Sequence, residues 1–446
     1  MVGRFLFLVL LAAGVSGCQR MPQIAWPSFL LPTAPKPATP QASQHPSEPG
    51  EKPAPAPQEP QETTVGRIET PPAAREAREE MATLVPPALS GDGNPDPKGG
   101  MWGSGPHQRV ALLLPLSGTT AGVGQALLNS AQMALFERTG SELVLQVYDT
   151  KGTPEGAVQA AGLALSQGVR LIIGPVFSPE VKAVAPQAHA VNVNVIAFTG
   201  DPATASGGVF VLGHQLRQQV ERVTAFARSR GLAVFAALAP DNEYGRQAVA
   251  ALRQTATALD GRITAVEFYD PATDPTPVVK RLARQKPFDA VLIPDTGQRL
   301  KNVAPLLPYF DIDVQETRLL GTQLWSTGDG HHEPATVGGW YAAPVSPDQA
   351  RFAERYRQLF NAPPSAIASL AYDAVALAAV LAEGPAGPNF DSGVLTGEAG
   401  FAGVDGLFRL RPSGITERGL AVMEIKADGP PVLISPPPES FDHHGF

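Results

Sequence analysis

From residue 107 onward, apolar runs of strand length alternate with stretches of helical period. Near-continuous apolar segments at 109–114 (RVALLL), 143–148 (LVLQVY), 169–173 (VRLII) and 193–198 (VNVIAF) predict strands covered on both faces, as in a parallel sheet. Between them, 124–137, 154–166 and 179–188 carry Ala, Leu and Val at i, i+3 and i+4 and predict helices. A basic, amphipathic segment at 215–230 opens a second array. In it, strands at 233–238, 263–268 and 289–293 alternate with helices at 243–258, 277–285 and 299–310. A third stretch holds a strand at 339–343 and helices at 348–360 and 365–383, ahead of a β-rich tail with strands near 407–410 and 420–425. Alternation of this kind, in two tandem arrays, is the pattern of an α/β fold.

The first hundred residues read differently. Met1 to Cys18 is MVGRFLFLVLLAAGVSGC, with one charge at Arg4 and an apolar run from Phe5 to Ala13 that is too short to span a bilayer. A signal peptide over 1–17 is expected. Residues 19–106 hold 19 prolines and few β-branched or aromatic side chains, a composition that buries too little apolar surface to offset ordering entropy. Residues 18–106 are therefore expected to form a disordered tether.

Composition narrows the chemistry. The 34 Lys and Arg stand against 42 Asp and Glu, a formal net charge of -8, and no basic block exists to neutralise a run of phosphates, so nucleic acid is not an expected partner. Cys18 is the single cysteine, which excludes a disulfide framework and any site built on several thiolates. His331-His332-Glu333 and His443-His444 lack a third ligand at regular spacing and read as solvated loop and tail, so neither metal nor cofactor is expected. No GxSxG, HExxH or glycine-lysine phosphate loop occurs, and no nucleophile, base and oxyanion donor assemble. Asp373, inside LAYDAVALAA, is either a buried carboxylate or, more commonly for a helical Asp, solvent-facing or capping a neighbouring loop.

In open parallel sheets ligands lie beyond the carboxyl ends of the strands, and four such ends carry polar groups. Pro115-Leu116-Ser117-Gly118 precedes Gly122 and Gly124, but Leu127 stands where a dinucleotide fingerprint needs its third glycine, so Asp149 is not read as a ribose ligand. Phe177-Ser178-Pro179-Glu180 has the form of a helix cap; Ser178 serves either as cap alone or as cap plus ligand contact at a helix N-terminus. In Thr199-Gly200-Asp201-Pro202, turn chemistry accounts for all but Thr199. Asp241 or Asn242 caps the next helix, leaving Tyr244 to offer a flat face and one hydroxyl. The candidate cleft residues are Ser117, Phe177, Ser178, Thr199, Asp201 and Tyr244.

Val15-Ser16-Gly17-Cys18 resembles a bacterial lipobox, which implies acylation of Cys18 and a mature chain that begins there. Gln19 after it implies outer- rather than inner-membrane sorting. The two arrays resemble type I periplasmic binding proteins of the branched-chain amino-acid receptor class. VALLLPLSG, LIIGPVFS, PDNEYG, GTQLW, LAYDAVALAA and FAGVDGLFRLRPSGITERGLAV resemble, more narrowly, the penicillin-binding protein activator branch. The resemblance implies two Rossmann-like lobes, 107–213 with 339–400 and 214–338 with 401–446, joined by three crossings near Gly213, Gly338 and Gly400. It also implies ligand contacts at Ser178 and Thr199, an aromatic cover at Tyr244, and a second-lobe contact at Gln323 or Trp325. GTQLW carries no carboxylate where that class often holds the ligand's ammonium. The function implied is a lipid-anchored, non-catalytic periplasmic module that regulates a peptidoglycan synthase, a penicillin-binding protein. The alternative is the solute receptor of an ABC importer for a small amino-acid-like or amide ligand.

Overall fold

The computed structural model describes residues 108–137, 143–326, 333–383 and 388–441. The expected signal peptide, Cys18, the tether, His331-His332 and His443-His444 lie outside the described residues.

The first lobe is a parallel sheet of five strands: β1 (Gln108–Leu114), β2 (Leu143–Asp149), β3 (Leu171–Ile173), β4 (Asn194–Ala197) and β5 (Val209–Val211), in the order β2-β1-β3-β4-β5. Helices cover both faces, which is why β1 is apolar at successive positions. Val110, Leu112 and Leu114 pack against α1 (Ala121–Glu137) and the later helix Ala368–Ala382, whereas Ala111 and Leu113 face α2 (Pro154–Ser166) and α3 (Ser178–Ala190).

The second lobe repeats the plan on α4 (Leu216–Ser229), β6 (Val234–Pro240), α5 (Glu243–Ala258), β7 (Arg262–Tyr269), α6 (Thr276–Ala283), β8 (Ala290–Leu292), α7 (Gly297–Val303), α8 (Leu306–Tyr309), β9 (Arg318–Gly321) and β10 (Trp340–Ala343). A helix across 299–310 was the expectation; it is interrupted because Pro305 has no N–H to donate within a helix. The chain then returns to the first lobe with α9 (Asp348–Phe360), α10 (Ala368–Ala382), α11 (Ser392–Leu395) and a small antiparallel sheet, β11 (Phe401–Gly403), β12 (Gly406–Leu410) and β13 (Thr416–Arg418). It ends on β14 (Ala421–Glu424) and β15 (Val432–Ser435), antiparallel strands that complete a seven-stranded sheet, β15-β14-β10-β9-β8-β6-β7. This is an α/β architecture of two lobes, each built on a largely parallel sheet.

Two of the three crossings move from where the sequence placed them. Residues 339–343 are not first-lobe residues: Trp340 pairs with Leu320 of β9 and Glu424 of β14, so the second crossing follows at 344–347. The third lies at 419–420 rather than near Gly400, because Phe408 and Leu410 are buried in the first-lobe core with Leu112 and Leu370. In both cases long-range burial, not a glycine, decides which lobe a strand joins.

Candidate functional site

The strand ends of the first lobe meet at a hydroxyl pair. Gly174, at φ 91°, turns the chain after β3, and a Cβ there would lie 2.2 Å from the carbonyl oxygen of Leu113. The turn delivers Phe177 and Ser178 to the start of α3. Ser178 does not cap that helix with its side chain; its Oγ lies 2.8 Å from Oγ1 of Thr199, which also accepts the N–H of Asp201 at 3.0 Å. The helix entry is held instead by Glu180, a buried carboxylate that accepts the N–H of Phe177 at 3.0 Å and whose pKa is raised by burial. Of the two hydroxyl protons on Ser178 and Thr199, one is spent between them and one remains for a ligand, next to the positive end of α3.

The other first-lobe candidates are busier. Asp201 accepts the N–H of Ala203 at 2.9 Å and lies 3.9 Å from Lys182, so its carboxylate supports its own turn. Ser117 is exposed, with its N–H 3.3 Å from Oδ1 of Asp149. That oxygen also accepts from Leu116 at 2.9 Å and Lys151 at 2.8 Å. Burial would raise the Asp149 pKa, but these bonds outweigh it and leave the carboxyl below its ordinary value. Asp149 thus braces the β1–α1 turn. Phe177 is half-buried and packs on the first-lobe core.

The second lobe presents a different chemistry. Asn242 caps α5, accepting the N–H of Gly245 at 2.9 Å. This orients Tyr244, whose hydroxyl lies 3.0 Å from Oγ1 of the buried Thr322 and whose pKa burial raises. Beside them, at the end of β8, is Asp295, a residue the sequence reading did not single out. It is 1% exposed, accepts the hydroxyl of Tyr269 at 2.5 Å, and is clamped by Arg299 through bonds of 2.7–3.0 Å. Burial first, then the Asp295 charge, raises the Tyr269 pKa, while the bond to Asp295 raises that of Arg299. Gln323 turns toward the first crossing: its N–H donates to Oε1 of Gln219 at 2.9 Å and its amide nitrogen lies 3.5 Å from Nδ1 of His214.

Trp325 is not a cleft residue. It is fully buried in the second-lobe core, 6.3 Å from the ring of Tyr341, and a Cβ on Gly321 would fall 2.2 Å from its ring. The GTQLW motif is therefore half packing: its glycine makes room for its tryptophan.

Between the lobes the crossings are tied by buried polar side chains. Asp405 accepts from Ser369 at 2.7 Å and from Gln349 at 3.0 Å, with Nε2 of His214 3.1 Å away. Burial opposes ionisation of Asp405, but His214, Arg418 and Ser369 outweigh it and hold the carboxyl well below the usual range. Arg418 donates to the carbonyl of Leu212 at 3.2 Å, and Gln218 to that of Thr416 at 2.7 Å. His214 and Asp405 are 191 residues apart, so no local pattern announces this cluster. Among the described residues no group of three or more His, Cys, Asp and Glu is placed to hold a metal ion.

Known proteins share the fold. The sequence is 24% identical over 216 residues to a protein of Rickettsia prowazekii, covering 48% of this chain and 56% of that one. It is also 24% identical over 168 residues to penicillin-binding protein activator LpoA of Histophilus somni, covering 37% of this chain and 28% of that one. The chain thus spans about half the length, or less, of these curated relatives. A solved branched-chain amino acid ABC transporter periplasmic ligand-binding protein of Burkholderia xenovorans has the same fold, with a TM-score of 0.61 at 16% identity over 74% of this chain and 96% of that one. The sequence profile of the periplasmic binding protein family matches residues 107–430, more than half of the chain, and the protein belongs to that family.

Proposed function

We propose that this protein is a non-catalytic periplasmic recognition module that regulates a peptidoglycan synthase, a penicillin-binding protein, from a lipid anchor at Cys18 on the outer membrane. The single observation that carries this reading over that of a solute receptor is that the carboxylate at the second-lobe strand end, Asp295, is already held by Tyr269 and Arg299. Ser178 is paired with Thr199, Tyr244 with Thr322, and Asp295 with Tyr269 and Arg299. A receptor for a zwitterionic amino acid needs a carboxylate to meet the ligand's ammonium, and Arg299 already neutralises Asp295. The likeness to penicillin-binding protein activator LpoA supports the partner.

The second reading, a receptor for a small polar solute, is favoured by the hydroxyl proton left at Ser178 and Thr199 beside the start of α3, and by the fold shared with a solved ligand-binding protein. Crosslinking and pull-down from envelopes separates the two: a synthase captured by the full-length chain, with its polymerisation rate altered by the purified protein, is the expected result. Failure to capture any synthase, together with a large thermal upshift on one of a panel of amino acids or amides, would establish the receptor instead.

A further inference from the structure

A cavity of about 430 Å³, whose lining includes none of the candidate cleft residues, opens on the first lobe between α1, α9, α10 and β11. Its volume is in the range of small-molecule sites, about 300–1,000 Å³. One wall is aromatic: the rings of Phe352 and Tyr372 meet edge to face, 5.5 Å between centroids, and Met133 and Ala376 extend the apolar surface. Charges in the wall pair off, Arg355 with Glu137 at 2.8 Å and Arg351 with Asp348 at 3.1 Å, so they set no net sign.

Asp373 also lines it. Its side chain is buried, 2% exposed, and Oδ1 accepts the N–H of Val404 at 2.6 Å, yet Oδ2 has no hydrogen-bond partner. The residue against this oxygen is Gly403, where a Cβ would come within 2.4 Å of Oδ2. A buried carboxyl oxygen left without a hydrogen-bond donor, in the wall of a cavity with aromatic faces beside it, matches one chemistry: a cation with an apolar body.

We propose that this cavity is a second binding site, taking a small organic ammonium ion whose nitrogen donates to Oδ2 of Asp373 and whose apolar body lies against Phe352 and Tyr372. The site is independent of the inter-lobe cleft and of the proposed regulatory role. Binding is coupled to a proton. Burial, more than any other influence, pushes the Asp373 carboxyl up to about 7; Arg418 acts against this from beyond hydrogen-bond distance, and Asp405 adds to it. A bound cation favours the carboxylate, so the proton leaves as the ligand enters and affinity rises with pH. The other charged groups facing Asp373 are Glu137 on α1 and Asp348, Arg351 and Arg355 on α9, with His214 one step removed through Asp405.

The test is calorimetric titration of the full-length chain with phenethylamine, in two buffers of different ionisation heat. Binding at pH 8 with proton release, about tenfold weaker at pH 6, is expected from a group titrating near 7. Asp373→Asn keeps the bond to Val404 and is expected to weaken binding at least about tenfold and to remove its pH dependence, with His214 left in place. Ser178→Ala is expected to bind phenethylamine as the wild type does, which separates this site from the cleft. No binding at 10 mM phenethylamine, equal binding of phenylacetate, or wild-type affinity in Asp373→Asn would each overturn the proposal. Should that variant fail to fold, Phe352→Leu takes its place, with a severalfold loss supporting the site and an unchanged affinity refuting it.

Discussion

The two lobes share a strand–helix plan but end their strands in opposite chemical states. The first lobe closes on Ser178 and Thr199, two neutral hydroxyls at a helix N-terminus with a proton to spare. The second closes on an ion pair, Asp295 with Arg299, reinforced by Tyr269 and with the Tyr244–Thr322 pair alongside. The difference teaches that architecture places polar groups at the cleft but does not decide whether they are open. A hydroxyl pair can exchange partners at small cost, whereas a buried carboxylate cannot part from its guanidinium without an uncompensated charge.

This contrast is open to attack. The largest expected effect is in the second lobe's foundation: Trp325→Ala should cost about 3–5 kcal/mol, read from denaturant midpoints, since a fully buried indole leaves a cavity. A loss under about 1 kcal/mol would place the indole outside the core. Next comes pH. The folded chain keeps the Asp373 proton up to about 7, whereas an unfolded aspartate loses it near 3.9. Stability should therefore fall as pH rises from about 4 to 7 and level off above, by on the order of 4 kcal/mol, and Asp373→Asn should lack that fall. A melting-temperature profile of the two proteins checks the sign.

Asp295→Ala should destabilise by about 3 kcal/mol, the low end for breaking a buried pair because Arg299 is 30% exposed. Ser178→Ala should cost about 1 kcal/mol, and a double-mutant cycle with Thr199→Ala should return a coupling of similar size. If the first-lobe variant proves the more damaging of the two, the contrast between the lobes is reversed. Smallest is Tyr244→Phe, which removes one hydroxyl bond and should change stability by under about 1 kcal/mol, checked by the same denaturation.

Much of the fold was legible because its strands are covered on both faces: VALLL and FAALA leave no polar position, and only a two-sided layer accommodates that. The strands β5, β9, β11, β13 and β15, of three or four residues, escaped because, unlike the equally short β3, β4, β8, β10 and β14, they do not sit inside a longer, mostly apolar segment. The candidate site was legible where polar side chains fall on a turn. Ser178, Thr199 and Tyr244 announced themselves at strand ends, and the structure joins the first two. Trp325 was misassigned because a motif reports proximity in sequence and not the side on which a ring falls.

By itself, then, the sequence determined the α/β alternation, the two arrays and the exclusion of any site built on several thiolates, since each follows from local periodicity or from residue type. Tertiary structure alone decided which lobe received β10 and β12, that Asp405 would gather His214, Ser369 and Gln349 from distant segments, and that Asp373 would bury an oxygen without a donor. These outcomes depend on burial and on contacts between residues far apart along the chain, and no window of neighbouring residues encodes them.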